Sequence, residues 1–185
     1  MARTDNRPHC RSSATVLAWL FAAALIGGVP APALAEVKPF SANFKARDMA
    51  VTGGTLHVRV GGSGPAVLLL HGFGDTGDMW QPLAEILVKD HTVIVPDLRG
   101  MGLSSHPEGG YEKASQARDI ARILDELNVS RFSLVTHDIG VARLLAHRIM
   151  VMQRGRVVET GLTDQVLDDP QHPYTQLLVS SVLQA

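Results

Sequence analysis

Short, continuously apolar runs alternate with amphipathic helical patterns in the middle of the chain, and this alternation constrains the fold more than any other feature. The runs Ala66 to Leu70, Thr92 to Val95 and Phe132 to Val135 have the length and composition of strands that are covered on both faces. An apolar stripe over residues 115–128 is typical of an amphipathic helix. Such alternation predicts an α/β fold in which helices cover both faces of a parallel sheet.

An antiparallel hairpin is predicted to lead this sheet. The extended segments Phe44 to Val51 and Leu56 to Val60 flank the pair Gly53-Gly54. Paired glycines tolerate the positive φ that tight hairpin turns require. We therefore expect the sheet to begin with an antiparallel edge and to continue with parallel strands.

The first 35 residues are predicted to be a signal peptide. Three arginines precede the uninterrupted apolar run 16–26, and Ala33 and Ala35 place small residues at a cleavage site. The run is shorter than the roughly 20 residues that span a membrane, so the pattern favours cleavage over anchoring. The mature protein is expected to be periplasmic or secreted, with no membrane partner after signal cleavage.

Composition argues against several function classes. The 185 residues include 17 Lys and Arg against 18 Asp and Glu, and this balance offers no basic footprint for nucleic acid. The single cysteine, Cys10, excludes an intrachain disulfide framework and a cysteine-based zinc site. The eight histidines never fall at metal-ligand spacing on a common element. We expect no metal, no cofactor and no nucleic-acid partner.

Three loops leave the carboxyl ends of the predicted strands, where open α/β sheets bind ligands. They are residues 71–77, 97–104 and 136–140. The string GFGDTG in the first loop fits the G-x-G-x-x-G dinucleotide fingerprint, and Asp97 closes the next strand as a ribose-binding acid would. A dinucleotide fold begins with its fingerprint strand, whereas a hairpin precedes it here, so nucleotide binding is the less favoured interpretation.

Asp138 has the surroundings of a nucleophile on a sharp strand-to-helix turn. It follows a buried strand directly, precedes a helical stretch, and has Thr136 and Gly140 two residues away on either side. A carboxylate raised at such a turn can attack an electrophilic carbon and form an ester that water then cleaves. The backbone amides of Phe73 and Ile139 are expected to form the oxyanion hole.

The strings HGFGDTGDMW, PDLRGMGLSSHP and LVTHDIG resemble the matching segments of α/β-hydrolases, specifically the epoxide hydrolase and dehalogenase branch that uses an aspartate nucleophile. The resemblance covers about residues 40–140. It implies the N-terminal half of an α/β-hydrolase sheet, with Asp138 as the nucleophile and a small-molecule substrate if the protein is active. It also implies that Asp97, Arg99 and Gly100 shape a loop without taking part in chemistry, and we interpret Asp97 and Arg99 as a structural pair that closes the strand end. Thr136 departs from the glycine that is usual in the family.

This mechanism requires a histidine base and an acid after the nucleophile, in the order acid then histidine. Asp164, Asp168 or Asp169 followed by His172 satisfies the order, but the spacing leaves little room for two separate loops. We therefore predict that residues 36–140 are a partial hydrolase domain, ending at the nucleophile, and that the protein is catalytically incomplete.

Residues 141–185 are predicted to be a short α+β tail of different origin. Helical patterns at 141–147, 163–167 and 174–183 surround two strand patterns, 149–153 and 156–159. The string VTHDIGVARLLAHRIMVMQRGRVVETGLTDQVLDDPQHPYTQLLVSSVL resembles the carboxyl end of an ABC-type ATP-binding subunit of the phosphonate carbon–phosphorus lyase system and related oligopeptide importers.

That second resemblance implies a different role for the same turn. By it, His137 is the switch histidine that contacts the γ-phosphate of ATP, and transporter or lyase subunits are partners of the tail. The chain contains no G-x-x-x-x-G-K-[ST] loop, so His137 would have no nucleotide to sense. Two alternatives stay open: a remnant of an ATP-binding protein, and a non-functional fusion that folds poorly. The seam is predicted at residues 136–140.

Overall fold

The computed structural model describes residues 39–182. The predicted signal peptide, residues 1–35, and Cys10 lie outside this range. None of the helices between residues 39 and 182 has both the length and the apolar character needed to cross a membrane.

A five-stranded mixed sheet forms the first part of the structure. Its strands, in chain order, are β1 (Phe44–Val51), β2 (Gly54–Gly61), β3 (Ala66–Leu70), β4 (Thr92–Pro96) and β5 (Phe132–Thr136). In space the order is β1-β2-β4-β3-β5, with β2 antiparallel to both β1 and β4 and with β3 parallel to both β4 and β5. The predicted α/β class, leading hairpin and antiparallel edge are confirmed.

Helices cover both faces of this sheet. A short 3-10 helix (Gly77–Trp80) and α1 (Gln81–Leu87) lie on one face, where Ala84 joins a buried cluster with strand residues. On the other face are α2 (Lys113–Glu126) and α3 (Ile139–Leu145). The stripe predicted for α2 is buried, because its apolar residues recur three and four positions apart and so share one side of the helix.

The tail follows α3 and contains a hairpin and two helices. Strands β6 (Arg148–Gln153) and β7 (Arg156–Leu162) form an antiparallel hairpin, followed by α4 (Thr163–Asp168) and α5 (Pro173–Val182). Its turn residues Arg154 and Gly155 have φ of 50° and 75°, the left-handed values that a tight hairpin requires. The predicted α+β tail is confirmed.

Helix α3 connects the two parts. Val141 is fully buried in the same cluster as Leu68 of the sheet and Ile120 of α2. Burying an aliphatic side chain of this size stabilises the fold by about 1.5–3 kcal/mol. The residue just after the predicted seam is thus part of the main core.

Candidate active site

The three predicted loops meet at the carboxyl edge of β3, β4 and β5. The backbone amide of Gly77, in the first loop, donates to the Asp97 carboxylate in the second at 2.8 Å. The position that a side chain at Gly72 would occupy lies 3.9 Å from the Cβ of His137 in the third. The sequence therefore predicted correctly which segments converge.

Asp97 connects the first two loops and is completely buried. Its Oδ1 accepts from Gly77 N and from Arg59 Nη1 at 3.1 Å, and its Oδ2 accepts from Leu103 N at 2.9 Å. Both carboxylate oxygens are occupied inside the protein, so Asp97 has none left for a ribose hydroxyl. Asp97 is therefore not available to bind a ribose, and the Gly77 amide is not available to bind a phosphate. Both observations argue against nucleotide binding by the first loop.

Arg99 has a different partner from the one expected. Its Nε and Nη2 donate to Asp119 at 2.9 and 2.8 Å, and Nη2 also donates to the Thr52 carbonyl at 2.8 Å. The expected Asp97–Arg99 pair is wrong in its pairing, although both residues are structural. The physical reason is tertiary contact: β2 brings Arg59 to Asp97, and α2 brings Asp119 to Arg99.

His71 is the fully buried histidine at the end of β3. Its Nε2 accepts from Leu98 N at 2.8 Å, so the ring proton is on Nδ1, which donates to the Gly72 carbonyl at 2.8 Å. Both ring nitrogens are satisfied. His71 fixes the first loop against the second and has no nitrogen left for proton transfer.

Asp138 is the N-cap of α3. Its Oδ1 accepts from Val141 N at 3.1 Å, and its Oδ2 lies 2.5 Å from Lys113 Nζ. Its backbone is extended, with φ −97° and ψ 95°, which differs from the strained turn expected around a nucleophile. Only 8% of the side chain is exposed. An aspartate directly before a helix satisfies an otherwise unpaired amide of the first turn, which favours this inward orientation.

The two expected oxyanion-hole residues flank this turn. Phe73 has a side chain that is 92% exposed, and Ile139 is the first residue of α3, whose amide has no acceptor within the helix. Between residues 39 and 182 neither backbone amide donates a hydrogen bond. Their assignment to an oxyanion hole stays a prediction.

The candidate histidines are engaged elsewhere. The His137 ring packs on the Trp80 indole with 5.4 Å between ring centroids. The Nδ1 of His172 accepts from Tyr174 N at 3.1 Å. In the part of the chain that is described, no histidine hydrogen-bonds to Asp138. Sequence reasoning missed Lys113, which is the side chain that reaches this carboxylate.

The acids proposed to orient His172 are likewise separate from it. Asp168 pairs with Arg143 at 2.6 Å, and over residues 39–182 no hydrogen bond joins His172 to Asp164, Asp168 or Asp169. The same residues contain no group of three potential metal ligands. The structure therefore does not assemble an acid–histidine pair from the tail.

Two clefts lie away from Asp138. One is in the tail and is lined by Glu159, Gln165 and Asp169, among others. The other is lined by Gly64, Thr92 and Arg131, at the amino ends of the parallel strands. Asp138 lines neither of these two clefts.

Two family models match separate parts of the chain. The model described as alpha/beta hydrolase fold matches residues 65–145. The model described as oligopeptide/dipeptide transporter, C-terminal region, matches residues 158–185. The first match includes β3, β4 and β5 with α1, α2 and α3, and the second begins within β7 and includes α4 and α5.

Known relatives are likewise of two kinds, hydrolytic enzymes and an ATP-binding protein. A fluoroacetate dehalogenase of Burkholderia sp is 42% identical over 102 residues, which are 52% of this chain and 34% of the relative. The phosphonates utilization ATP-binding protein PhnK of Escherichia coli (strain K12) is 63% identical over 81 residues, 42% of this chain and 32% of the relative. The chain thus spans about a third of the length of these relatives.

Solved structures support the first of these relationships. The crystal structure of an epoxide hydrolase from Vigna radiata superposes with a TM-score of 0.52 and 34% identity, covering 56% of this chain and 35% of that one. The superposition is consistent with the sheet order and with the helices on both faces.

The two relationships overlap in sequence. The 81-residue match to the ATP-binding protein is longer than the stretch from Val135 to the end of the chain, so it includes residues that the hydrolase model also matches. The predicted seam at residues 136–140 therefore stays a prediction. Residues 65–145 match the α/β-hydrolase fold, with relatives among epoxide hydrolases and dehalogenases. The C-terminal part of the chain is similar to a phosphonates utilization ATP-binding protein and to the C-terminal region of oligopeptide/dipeptide transporters.

Proposed function

We propose that this chain is an exported, truncated α/β-hydrolase-like protein of the epoxide hydrolase and dehalogenase type, and that it is catalytically incomplete. The observation that carries the proposal is the environment of Asp138. Its two carboxylate oxygens are held by the Val141 amide and the Lys113 ammonium, and no histidine contacts it by a hydrogen bond within residues 39–182.

The chemistry explains why the absence of a base matters. In the first half-reaction the Asp138 carboxylate bonds to an epoxide carbon, the ring carbon–oxygen bond breaks, and the resulting alkoxide takes up a proton. In the second half-reaction water must attack the ester carbonyl, and a histidine normally removes the proton from that water. Without such a base the ester would persist. We therefore propose that any reaction stops after one equivalent of substrate.

The test is turnover by the purified chain. With styrene oxide as substrate, we expect at most one covalent adduct per chain and diol formation at the uncatalysed rate, whereas a full-length hydrolase measured in parallel turns over repeatedly, because attack of water on the ester requires a general base. Repeated turnover above the uncatalysed rate would overturn the proposal of incompleteness.

Export is a separate part of the proposal. It is supported by the basic start, the apolar run 16–26 and the small residues Ala33 and Ala35. Expression with its own N-terminus should give a periplasmic or secreted product whose first residue is Glu36. A cytoplasmic product that keeps Met1 would exclude export.

A second candidate function is docking of the tail to transporter or lyase subunits. It is supported by the 63% identity to an ATP-binding protein and by exposed apolar side chains on one face of the β6–β7 hairpin, namely Met150, Met152, Val157 and Leu162. Coexpression with subunits of a phosphonate system, followed by size-exclusion chromatography, tests it. We expect coelution that is lost in Met152→Asp, and separate elution of the unaltered chain would exclude this role.

The alternative of a non-functional fusion that folds poorly makes an opposite prediction for stability. The proposal of a folded protein is supported by the burial of Val141 in the same cluster as Leu68 and Ile120. A cooperative thermal unfolding transition of residues 36–185 would speak against the poorly folded alternative, and a gradual loss of signal would favour it.

A further inference from the structure

We propose that Lys113 is a clasp that withholds the Asp138 carboxylate from reaction. Lys113 is the first residue of α2, and its ammonium lies 2.5 Å from Asp138 Oδ2 at the start of α3. The two residues are 25 positions apart in sequence and are brought together by packing of α2 on α3. This inference rests on the proposed role of Asp138 as the nucleophile inherited from the hydrolases.

Both oxygens of the Asp138 carboxylate are engaged by protein groups. Oδ1 is used in capping α3 through the Val141 amide, which leaves Oδ2 as the oxygen that can attack an electrophile. Lys113 occupies that remaining oxygen, and the Asp138 side chain is only 8% exposed. An oxygen that shares its electron density with an ammonium at hydrogen-bond distance is a weaker nucleophile than a free carboxylate oxygen.

Gly140 provides the space in which the Lys113 side chain lies. A Cβ placed on Gly140 would lie 3.2 Å from Lys113 Cγ and 3.5 Å from its Cδ. The methylene stem of the lysine therefore crosses this glycine on its way to the carboxylate. Gly140 sits in α3 without a positive φ, so the turn itself does not require a glycine there.

The ion pair between Lys113 and Asp138 is exposed to solvent on the lysine side. The Lys113 side chain is 47% exposed, whereas its partner is nearly buried. Water competes for the solvated ammonium, which weakens an ion pair at the protein surface. Removing the lysine should therefore free Oδ2 while the protein stays folded, which separates the effect on reactivity from an effect on folding.

The experiment measures modification of Asp138 by a water-soluble carbodiimide with glycine ethyl ester on the whole chain. Peptide mass spectrometry quantifies the loss of unmodified Asp138, so that an amide formed with Lys113 is counted together with the glycine ethyl ester adduct. In Lys113→Gln we expect Asp138 to be labelled about fivefold faster than in the unaltered protein, the factor expected from loss of a partly exposed ion pair. Gly140→Ala, which displaces the lysine stem without removing charge, should give a smaller increase. Lys113→Arg should restore the slow rate.

Arg122→Gln is the matched control. Arg122 is another exposed cation of α2 and takes part in no ion pair within the described residues. This variant should label Asp138 as slowly as the unaltered protein. Equal labelling rates in Lys113→Gln and in the unaltered protein, with both folded by circular dichroism, would overturn the clasp.

Carbodiimide labelling also distinguishes failure of the clasp from failure of the proposed function. Carbodiimide reacts with an accessible carboxyl group whether or not that group opens epoxides. If labelling rises in Lys113→Gln while styrene oxide leaves no adduct in any variant, the clasp is supported and the nucleophile assignment is overturned.

Discussion

The five-stranded sheet and the tail differ most in how much apolar surface they bury. The largest side chains with less than 2% exposure, among them Leu68, Leu69 and Ile94, all lie in the sheet, in α2 and in the loops that leave β3 and β4. The buried hydrophobic residues of β6, β7 and α4 are Val151, Val166 and Leu167. The tail thus has regular secondary structure with a much smaller core.

Exposed apolar residues show the same contrast. Met150, Met152, Val157 and Leu162 of the β6–β7 hairpin are each at least half exposed. A two-stranded hairpin is marginally stable by itself and needs packing on one face. The sheet and the tail both have regular secondary structure, but they need not be equally stable. We expect the tail to open before the sheet does.

The largest expected difference in stability between the two regions concerns their ion pairs. Arg99 and Asp119 are 6% and 4% exposed, whereas Arg143 and Asp168 in the second pair are 46% and 58% exposed. Asp119→Ala should lower the free energy of unfolding by about 3–5 kcal/mol, because it leaves a buried guanidinium uncompensated. Asp168→Ala, the matched control, should lower it by less than about 1 kcal/mol. Urea unfolding checks both, and similar losses would refute the contrast.

A pair of leucine truncations gives the next largest effect. Leu68→Ala, in the central sheet, should lower the free energy of unfolding by about 3–5 kcal/mol, whereas Leu167→Ala in α4 should cost about 2 kcal/mol because its small cluster can collapse around the gap. Hydrogen exchange should show faster exchange throughout the chain in the first variant and only in the tail in the second. Global opening in Leu167→Ala would show that the two regions unfold as one.

The smallest expected effect is a pH dependence confined to the tail. The nearby Thr175 hydroxyl and hydrogen bonds from the backbone amides of Gln171 and His172 lower the pKa of Glu159 below its ordinary value of 4.5. Because the folded state has the lower pKa, this stabilisation is present above pH 4.5 and is lost as the pH falls through the lowered pKa. The protection of the Gln171 and His172 amides, after correction for the intrinsic pH dependence of exchange, should fall over that range, and Glu159→Gln should remove this dependence. An unchanged pH dependence in that variant would exclude Glu159 as its source.

Much of the fold could be predicted because its elements have strong local periodicity. The run Ala66–Leu70 is β3 residue for residue, since a continuous apolar run bounded by turn residues is typical of a central strand. Boundaries shifted where tertiary pairing extends an element. β2 reaches Gly61, for example, because it pairs there with β4.

The details of the site could be predicted less well, because they depend on partners distant in sequence. Arg59 and Asp119 lie 38 and 20 positions from the residues they pair with, and no local pattern reveals such pairing. The capping role of Asp138 did have a local signal, since aspartate directly before a helical stretch is a strong N-cap. The same residue type in the same place suits a nucleophile, so the sequence alone does not separate the two roles.

The most direct test of the central claim compares styrene oxide hydrolysis by the unaltered chain and by Asp138→Asn. Asp138 caps a helix, is held by Lys113 and is hydrogen-bonded to no histidine among the described residues. We therefore expect the same diol formation rate for both proteins, equal to the uncatalysed rate. Sustained diol formation by the unaltered chain that disappears in Asp138→Asn would contradict this expectation.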